Sequence, residues 1–420
     1  MKKLLIITGL SIFANFGLAQ QFEKPVPLKL TNGELLIVES THASPYIYDF
    51  NKDGLDDLLV GEFGNEPTKG GTTASYVKSK CRIYINKGSN EKPAYEDFFY
   101  LQADGEDAFV PVTCCIAFNP RIADLDGDGI DDLMTGDYNG NIYLFRGLGN
   151  QKFAAKEIIA KIENVYAICV EPIDWDNDGV LDLLVSSRGD NPRLVKNEGD
   201  DKQFKFAEPS LLQLEKCPYI YEPLKQNRTS NPVHVSPGDL DGDGLFDLVC
   251  SDESGNVFWF KNTGSITSPQ FSEAIVIFDN NDYERIADNV EAVGNRPKVW
   301  VNDYNRDGKA DILLGDIYGD KRKVRDLTPE EEMIKAKLDD RAAKAMENFD
   351  SLRKESSELL SKLSIDNTES YADRMKKMPK SFQKKLEDNQ KEMSEVYGTL
   401  RKYDVYNYQD RGYVWLFTQK

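Results

Sequence analysis

The sequence contains Asp239-Leu-Asp-Gly-Asp-Gly-Leu-Phe-Asp247, and the same acidic pattern of nine residues occurs four more times. The other copies are Asp49-Phe-Asn-Lys-Asp-Gly-Leu-Asp-Asp57, Asp124-Leu-Asp-Gly-Asp-Gly-Ile-Asp-Asp132, Asp174-Trp-Asp-Asn-Asp-Gly-Val-Leu-Asp182 and Asp303-Tyr-Asn-Arg-Asp-Gly-Lys-Ala-Asp311. Their starts lie roughly 50 to 75 residues apart, as in repeat arrays whose loops carry insertions. Five matched copies indicate that the chain is built from one repeated unit.

Each copy has oxygen-bearing side chains at positions one, three, five and nine, and position seven can offer its backbone carbonyl. The glycine at position six permits a sharp turn that brings both halves onto one ion. Oxygen donors without histidine or cysteine are typical of calcium sites, whereas acidic turns that are merely solvated are the simpler alternative. The predicted calcium ligands are Asp49, Asn51, Asp53, Leu55, Asp57, Asp124, Asp126, Asp128, Ile130, Asp132, Asp174, Asp176, Asp178, Val180, Asp182, Asp239, Asp241, Asp243, Leu245, Asp247, Asp303, Asn305, Asp307, Lys309 and Asp311.

The residues around each acidic copy also repeat, and they predict strands. An extended segment precedes the copy, an apolar run follows it, a third run comes after a turn, and a fourth run opens with an aromatic residue. The first run of the mature chain, Phe22 to Leu28, resembles the fourth run Phe206 to Leu212, and the last run, Tyr413 to Phe417, resembles a third. We therefore predict an all-β fold, a five-bladed β-propeller closed by N-terminal and C-terminal strands. An open array or a propeller with further degenerate blades is the alternative.

These loops differ from EF-hand and dockerin-type loops, which need an acidic residue at position twelve and a helix behind it. Position twelve here is Val60, Thr135, Val185, Cys250 and Leu314, and a predicted strand follows. The acidic pattern, the aromatic start of the fourth run and an Asn-x-Gly turn after the third run (Asn86, Asn197 and Asn262) together resemble the FG-GAP/VCBS repeats. This resemblance implies a propeller with calcium in the loops between first and second strands, and a binding or adhesive role. Some relatives in that family degrade polysaccharides. Asn51 and Asn305 depart from the pattern by replacing Asp at position three, which keeps an oxygen but removes a charge, so we expect weaker sites there. Arg146-Gly147 stands where the second repeat should have the Asn turn.

Residues 1–19 have the pattern of a cleaved signal peptide, with Lys2 and Lys3 before a short apolar run. We therefore expect a secreted or periplasmic protein, and an uncleaved anchor is the alternative. No later stretch is apolar enough to span a membrane. The formal charge of -19 argues against nucleic acid as a partner. The six cysteines show no metal-binding spacing, and they could pair in an oxidising compartment or simply fill the core.

The predicted domains are blades over 20–326, an inserted antiparallel α-helical hairpin over 327–403 in the last blade, and a closing strand over 404–420. The insertion has almost no glycine and carries a heptad stripe through Leu338, Ala345, Leu352 and Leu359. Thr328 and Pro329 are typical of a helix start. In the simpler interpretation the apolar stripes of the two helices pack only against each other. Alternatively, the hairpin covers a ligand-binding face or docks a partner.

The most favoured function is a non-catalytic binding or adhesion module for a polysaccharide or protein ligand. Long loops on one face carry the candidate ligand-binding residues, whose alternative role is to plug the propeller's end. These candidates are Tyr219, Tyr221, Arg228, Tyr283, Arg285 and Arg296. An Arg188-Gly-Asp190 tripeptide is a weak adhesion signal. A polysaccharide lyase or hydrolase and a purely structural envelope protein are the other functions considered. The presence of only two histidines, His42 and His234, and the lack of a known catalytic motif disfavour the enzyme.

Overall fold

The computed structural model describes residues 22–64, 77–112, 116–199, 204–221, 226–280, 293–362 and 376–420. The predicted signal peptide, 1–19, lies outside them. The chain divides into two compact units, Met1–Asp320 with Gln409–Lys420 and Lys321–Tyr408. In the described part of the chain, no helix is long and apolar enough to cross a membrane.

The first unit consists of β-strands. The strands of its first third are Val26–Pro27 (β1), Ile37–Val38 (β2), Ser44–Tyr48 (β3), Asp57–Glu62 (β4), Val77–Tyr84 (β5), Phe99–Tyr100 (β6), Gln102–Ala103 (β7), Glu106–Asp107 (β8) and Phe109–Val112 (β9). The next are Arg121–Ala123 (β10), Asp132–Gly136 (β11), Asn141–Phe145 (β12), Glu157–Lys161 (β13), Cys169–Ile173 (β14), Asp182–Ser186 (β15), Arg193–Val195 (β16) and Ser210–Leu211 (β17). The last are Cys217–Tyr221 (β18), Gln226–Ser230 (β19), His234–Gly238 (β20), Asp247–Ser251 (β21), Val257–Phe260 (β22), Ile275–Phe278 (β23), Asn295–Asn302 (β24), Asp311–Lys323 (β25) and Tyr406–Phe417 (β26).

Five sheets of four or more strands form from the described strands. Sheet 1 has the order β3-β4-β5-β6, with β9 also on β5; sheets 2, 3 and 4 are β10 to β13, β14 to β17 and β20 to β23. Sheet 5 has the order β1-β26-β25-β24, with β2 also on β26. Its β1 and β26 are antiparallel, with Val26 opposite Leu416, so the first strand of the chain pairs with the last. The predicted all-β class is confirmed, and the repeated antiparallel sheets are consistent with a β-propeller-like fold.

Each acidic copy forms the hairpin loop between the first and second strands of its sheet. In all five sheets the second strand begins at the aspartate of position nine. This aspartate lies opposite the residue just before position one, as Asp57 lies opposite Tyr48 and Asp311 opposite Asn302. We number these loops 1 to 5 with their sheets.

The core consists of five large buried clusters in this unit, and each cluster joins two sheets. Tyr46 and Leu133 share a cluster between sheets 1 and 2. The pairs 2 and 3, 3 and 4, and 4 and 5 have equivalent clusters, which contain Met134 with Val170, Leu184 with Val235, and Val249 with Val299. The fifth cluster joins sheet 5 back to sheet 1, through Leu313 and Leu58. Alternation of apolar residues on each strand supplies both faces of every sheet to these clusters.

The fourth strands begin later than the sequence pattern predicted. Phe153, Phe206 and Phe271, the predicted first residues, each form an isolated bridge with the second residue after the third strand. This bridge closes a tight turn, so the regular ladder starts a few residues further on, at Glu157 in sheet 2. Two segments interpreted as long loops also contain strands: β18 and β19 form a hairpin within Leu214 to Asn231, and β8 and β9 lie within Ala103 to Phe118.

In its described part, the second unit contains the α-helices Pro329–Lys362 (α1) and Lys380–Leu400 (α2) and the short 3-10 helix Arg401–Tyr403. The Thr328 hydroxyl accepts a hydrogen bond from the Glu331 N–H at 3.2 Å, and the Glu331 carboxylate accepts one from the Thr328 N–H at 2.9 Å. This reciprocal pair is a capping box. Ion pairs join Arg341 to Glu392 and Lys385 to Glu355, so the two helices run in opposite directions.

Candidate metal sites

The first aspartate of each loop binds the turn that follows it. In loop 5, Asp303 accepts hydrogen bonds from the N–H groups of Asp307 and Gly308, both at 3.0 Å. The other four loops repeat these two bonds. The glycine of position six has a φ between +84° and +89° in every loop, a left-handed conformation that favours glycine. Five sequence copies therefore give five copies of one backbone geometry.

Position five orients position seven in the same repeated way. Its carboxylate accepts the N–H of position seven at 2.8 to 3.0 Å in all five loops. The residues at position seven, from Leu55 in loop 1 to Lys309 in loop 5, thus lie in the loop as the sequence predicted. Coordination by their carbonyl oxygens stays a prediction.

The aspartate of position nine fastens each loop to its sheet. Its side chain is almost completely buried in all five cases. One carboxylate oxygen accepts the N–H of the second residue after the third strand, at 2.7 to 2.8 Å; those residues are Asn86, Gly147, Asn197, Asn262 and Gln419. In loops 1, 2 and 4 the other oxygen accepts the N–H of position two. Position nine therefore has a structural role as well as any role in binding a cation.

Burial of these carboxyl groups disfavours their charged form. It raises the pKa of Asp132 and of Asp311 to about 6, and it also raises the pKa of Asp57 and Asp247. Neighbouring aspartates of the same loop contribute in the same direction. A positive charge bound in the loop would have the opposite effect.

Several carboxylate oxygens in the loops are buried without any hydrogen-bond partner among the described residues. They are Oδ1 of Asp126, Oδ1 of Asp176 and Oδ2 of Asp311. Such an oxygen is costly unless a cation or water binds it. Three groups of carboxylates have ligand atoms within 4.8 Å of one another and could hold a metal ion: Asp124 with Asp126 and Asp132, Asp174 with Asp176 and Asp178, and Asp239 with Asp241 and Asp247. These oxygen donors fit a hard divalent cation.

Position three differs between the loops. Asn51 accepts the Asp53 N–H at 2.9 Å through its amide oxygen, and Asn305 accepts the Asp307 N–H at the same distance. In loops 2, 3 and 4 position three is an aspartate, and the basic side chain of the residue that directly follows the third strand contacts it. Those basic residues, Arg146, Lys196 and Lys261, were not identified from the sequence, although all three occupy the same position in their repeats.

A second group of polar residues, also not predicted, lies where the first strands of the sheets meet. Arg121 of β10 forms a buried bidentate ion pair with Glu171 of β14. The Arg121 guanidinium lies 5.1 Å from the ring centroid of Tyr46 in β3 and 4.7 Å from that of Trp300 in β24. His234 of β20 accepts the Val299 N–H of β24 at 3.2 Å. Because these bonds join residues 50 or more positions apart, no local pattern predicts them.

The candidate ligand residues are only partly described. Tyr219 lies opposite Arg228 in the β18–β19 hairpin, but their side chains, and that of Tyr221, lie outside the described part. Tyr283 and Arg285 also lie outside it. Arg296 forms an ion pair with Glu253 at 3.3 Å. Their role in binding stays a prediction.

The Arg-Gly-Asp tripeptide is engaged within the protein. Arg188 pairs with Glu253 at 2.9 Å, and Asp190 pairs with Arg193 at 2.7 Å. Both charged ends of the tripeptide therefore have intramolecular partners.

The described cysteines do not form disulfides. Cys81, Cys169, Cys217 and Cys250 are buried and free, in agreement with a role as small core residues. Cys114 and Cys115 lie outside the described residues.

The fold and these loops define a repeat-built β-protein with acidic first hairpins. Residues 124–185 and 174–250 match the family model of the FG-GAP-like repeat. The resemblance noted in the sequence is therefore confirmed over this part of the chain.

No curated protein matches the sequence significantly. Among solved structures, the chain is similar to the Tc holotoxin pore of Photorhabdus luminescens, with 15% identity, 68% of this chain and 15% of that chain covered, and a TM-score of 0.29. It is also similar to BBS1N in complex with ARL6DN, with 10% identity, 70% and 93% covered, and a TM-score of 0.30. Rhamnogalacturonan lyase YesW gives 12% identity, 70% and 59% covered, and a TM-score of 0.30. Similarities at these TM-scores define neither a fold nor a function for this chain.

Proposed function

We propose that this protein is an exported, calcium-loaded five-bladed β-propeller that acts as a non-catalytic binding or adhesion module for polysaccharide or protein ligands. The observation that carries the proposal is the fivefold recurrence of one loop geometry. In every loop the carboxylates of positions one, five and nine accept the same backbone hydrogen bonds. The same loop between the first and second strands of every sheet is expected if each blade binds one cation.

Closure of the ring has three supports. The five buried clusters each join two successive sheets, and the last joins sheet 5 to sheet 1. The first strand of the chain completes the sheet that contains the last, which removes two exposed edges. Arg306 of loop 5 also forms an ion pair with Asp56 of loop 1.

Calcium would be held by the side chains at positions one, three, five and nine of each loop, with the carbonyl of position seven. When bound, it would neutralise carboxylates that otherwise repel one another. The unpartnered oxygens of Asp126, Asp176 and Asp311 support this assignment. Because the ion binds only the folded loop, it would stabilise the protein by mass action.

Binding without catalysis is favoured by the state of the two histidines. His234 is completely buried and His42 is 6% exposed, so neither is placed as a general base for a bound substrate. The loops opposite the acidic hairpins, including the β18–β19 hairpin, would carry the ligand. Export to the periplasm or beyond rests on the N-terminal pattern alone.

A glycan array and a reducing-end assay on the same mature protein test this function. We expect retention on one class of polysaccharide at millimolar calcium, with no release of reducing ends or unsaturated products. Release of either would show a hydrolase or a lyase and would contradict the proposal. Arg296→Ala, which removes a candidate ligand residue outside the acidic loops, serves to map binding, and Arg353→Ala in the helical unit is its matched control.

A further inference from the structure

The type of residue that directly follows the third strand varies together with the type of residue at position three of the acidic loop. Loops 2, 3 and 4 have aspartate at position three, and Arg146, Lys196 and Lys261 directly follow the third strand of their sheets. Loops 1 and 5 have asparagine there, and the equivalent residues are Ile85 and Thr418. Each of these residues directly precedes the one whose N–H binds position nine, so all five occupy the same place in the repeat.

The basic side chains contact the acidic loops directly. Lys196 Nζ lies 2.8 Å from Asp176 Oδ2 and 2.8 Å from Asp182 Oδ2. Lys261 Nζ pairs with Asp241 Oδ2 and lies 3.0 Å from Asp243 Oδ2.

Arg146 pairs with Asp126 Oδ2 through Nη1 and with Glu157 through Nε, the latter at 2.8 Å. Position three is therefore contacted by a basic side chain in every loop that has an aspartate there.

Two of these aspartates present their two oxygens differently. Oδ2 of Asp126 and Oδ2 of Asp176 bind the basic side chain, whereas Oδ1 of each is buried and has no partner among the described residues. The basic group thus occupies one oxygen and leaves the other for a second cation.

The pairing also equalises the charge of the loops. Loops 2, 3 and 4 have four carboxylates at positions one, three, five and nine and one basic group, whereas loops 1 and 5 have three carboxylates and an amide. Counted over these four positions and the residue that follows the third strand, the net formal charge is therefore the same in all five, and loop 5 also has Lys309 at position seven. The additional Asp56 and Asp131 at position eight pair with Arg306 and Lys52.

We propose that Arg146, Lys196 and Lys261 are positioning residues, tethered counter-ions that share the position-three carboxylate with the bound calcium. They stabilise the metal-free loop and lower its calcium affinity below that of four unopposed carboxylates. The inference rests on the proposed calcium sites, because it assigns their affinity.

Removing one counter-ion from the full mature chain tests this with calcium alone as the probe. Lys261→Met should lower the melting temperature in chelator, leave the number of bound calcium ions unchanged and tighten one site about thirtyfold, as expected for a unit charge about 4 Å from a divalent ion in water. Lys205→Met removes a surface charge that pairs with Glu198, and it should change none of these. An additional bound ion in Lys261→Met would show that the lysine fills the metal position, and unchanged affinity and melting would show that it has no role. Either result overturns the inference.

Transplanting the pair gives a second test that does not depend on calcium. Asn305→Asp should lower the melting temperature in chelator, because the residue that follows the third strand of sheet 5, Thr418, is not basic, and adding Thr418→Lys should restore it. A double variant no more stable than Asn305→Asp overturns the inference. If the wild-type protein binds no calcium, the proposed function fails, and this comparison still measures the counter-ion effect in the metal-free state.

Discussion

Arg306, at position four of loop 5, forms an ion pair with Asp56, at position eight of loop 1, although the two lie 250 positions apart. Lys52 and Asp131 make the equivalent pair between loops 1 and 2, at 2.7 Å. In the other three loops, position four is not basic and position eight of the following loop is not acidic. Loop 5 therefore meets loop 1 in the way that loop 1 meets loop 2.

Reversing the Arg306–Asp56 pair tests this junction. Arg306→Asp and Asp56→Arg should each destabilise the protein by about 1 kcal/mol or less, because both partners are partly exposed and like charges then face each other. The swapped double variant should regain most of that loss. Chemical denaturation measures all three, and strictly additive losses would show that the two side chains do not interact.

Breaking the buried pair between β10 and β14 should be far more damaging. Arg121→Met leaves Glu171 buried without its partner, and we expect a loss of about 3 to 5 kcal/mol in the free energy of unfolding. Arg121→Met with Glu171→Leu should lose less than the single variant, because no charge remains uncompensated. A double variant as unstable as the single one would contradict the geometry of this site.

His234 should make stability depend on pH below neutrality. Burial, with Lys298 and Arg121 nearby, holds the pKa of His234 well below its ordinary value. The unfolded chain therefore binds a proton near pH 6.5 that the folded chain does not, so the free energy of unfolding falls as the pH decreases, by up to about 1.4 kcal/mol per unit. His234→Asn should flatten the curve between pH 7 and pH 5. Asp132 and Asp311 titrate in both proteins, so the difference between the curves isolates His234, and parallel curves would show an exposed histidine.

Restoring the repeat pattern in sheet 2 should destabilise the protein. Gly147 stands where three other repeats have asparagine, and a Cβ there would lie 2.3 Å from the Asp131 carbonyl oxygen. Gly147→Asn should therefore cost about 1 to 3 kcal/mol, measured by thermal or chemical unfolding. Gly149→Asn, at an open position, is the control and should cost less. Equal stability of Gly147→Asn and wild type would contradict this close contact.

The sequence predicted the features that local chemistry determines. The acidic loops, the apolar second strands and the third strands follow from residue type and spacing, and so does the pairing of the first strand with the last. The predicted first residues of the fourth strands were wrong by a few positions. Phe153 and its equivalents form isolated bridges that close a tight turn, so the regular strand begins after them. The regular strands of the β18–β19 hairpin were also missed, since the segment was interpreted as a long loop.

Contacts between repeats could not be predicted. The pairing of Arg121 with Glu171, and the contact of Lys196 with Asp176, require knowledge of which strands become neighbours. The sequence already shows that a basic residue follows the third strand only where position three is aspartate. Only the distance between the two side chains shows that they form an ion pair. The five calcium sites, the blade count and the ligand remain predictions.

Calcium binding by the mature protein tests the central claim most directly. Isothermal titration of the chelator-treated protein should give five calcium ions per chain, together with a marked rise in melting temperature when calcium is added. Magnesium at the same concentration should have a smaller effect, because it demands a tighter octahedral site. A titration that shows no uptake at millimolar calcium, with an unchanged melting temperature, would contradict the assignment of the acidic loops as metal sites.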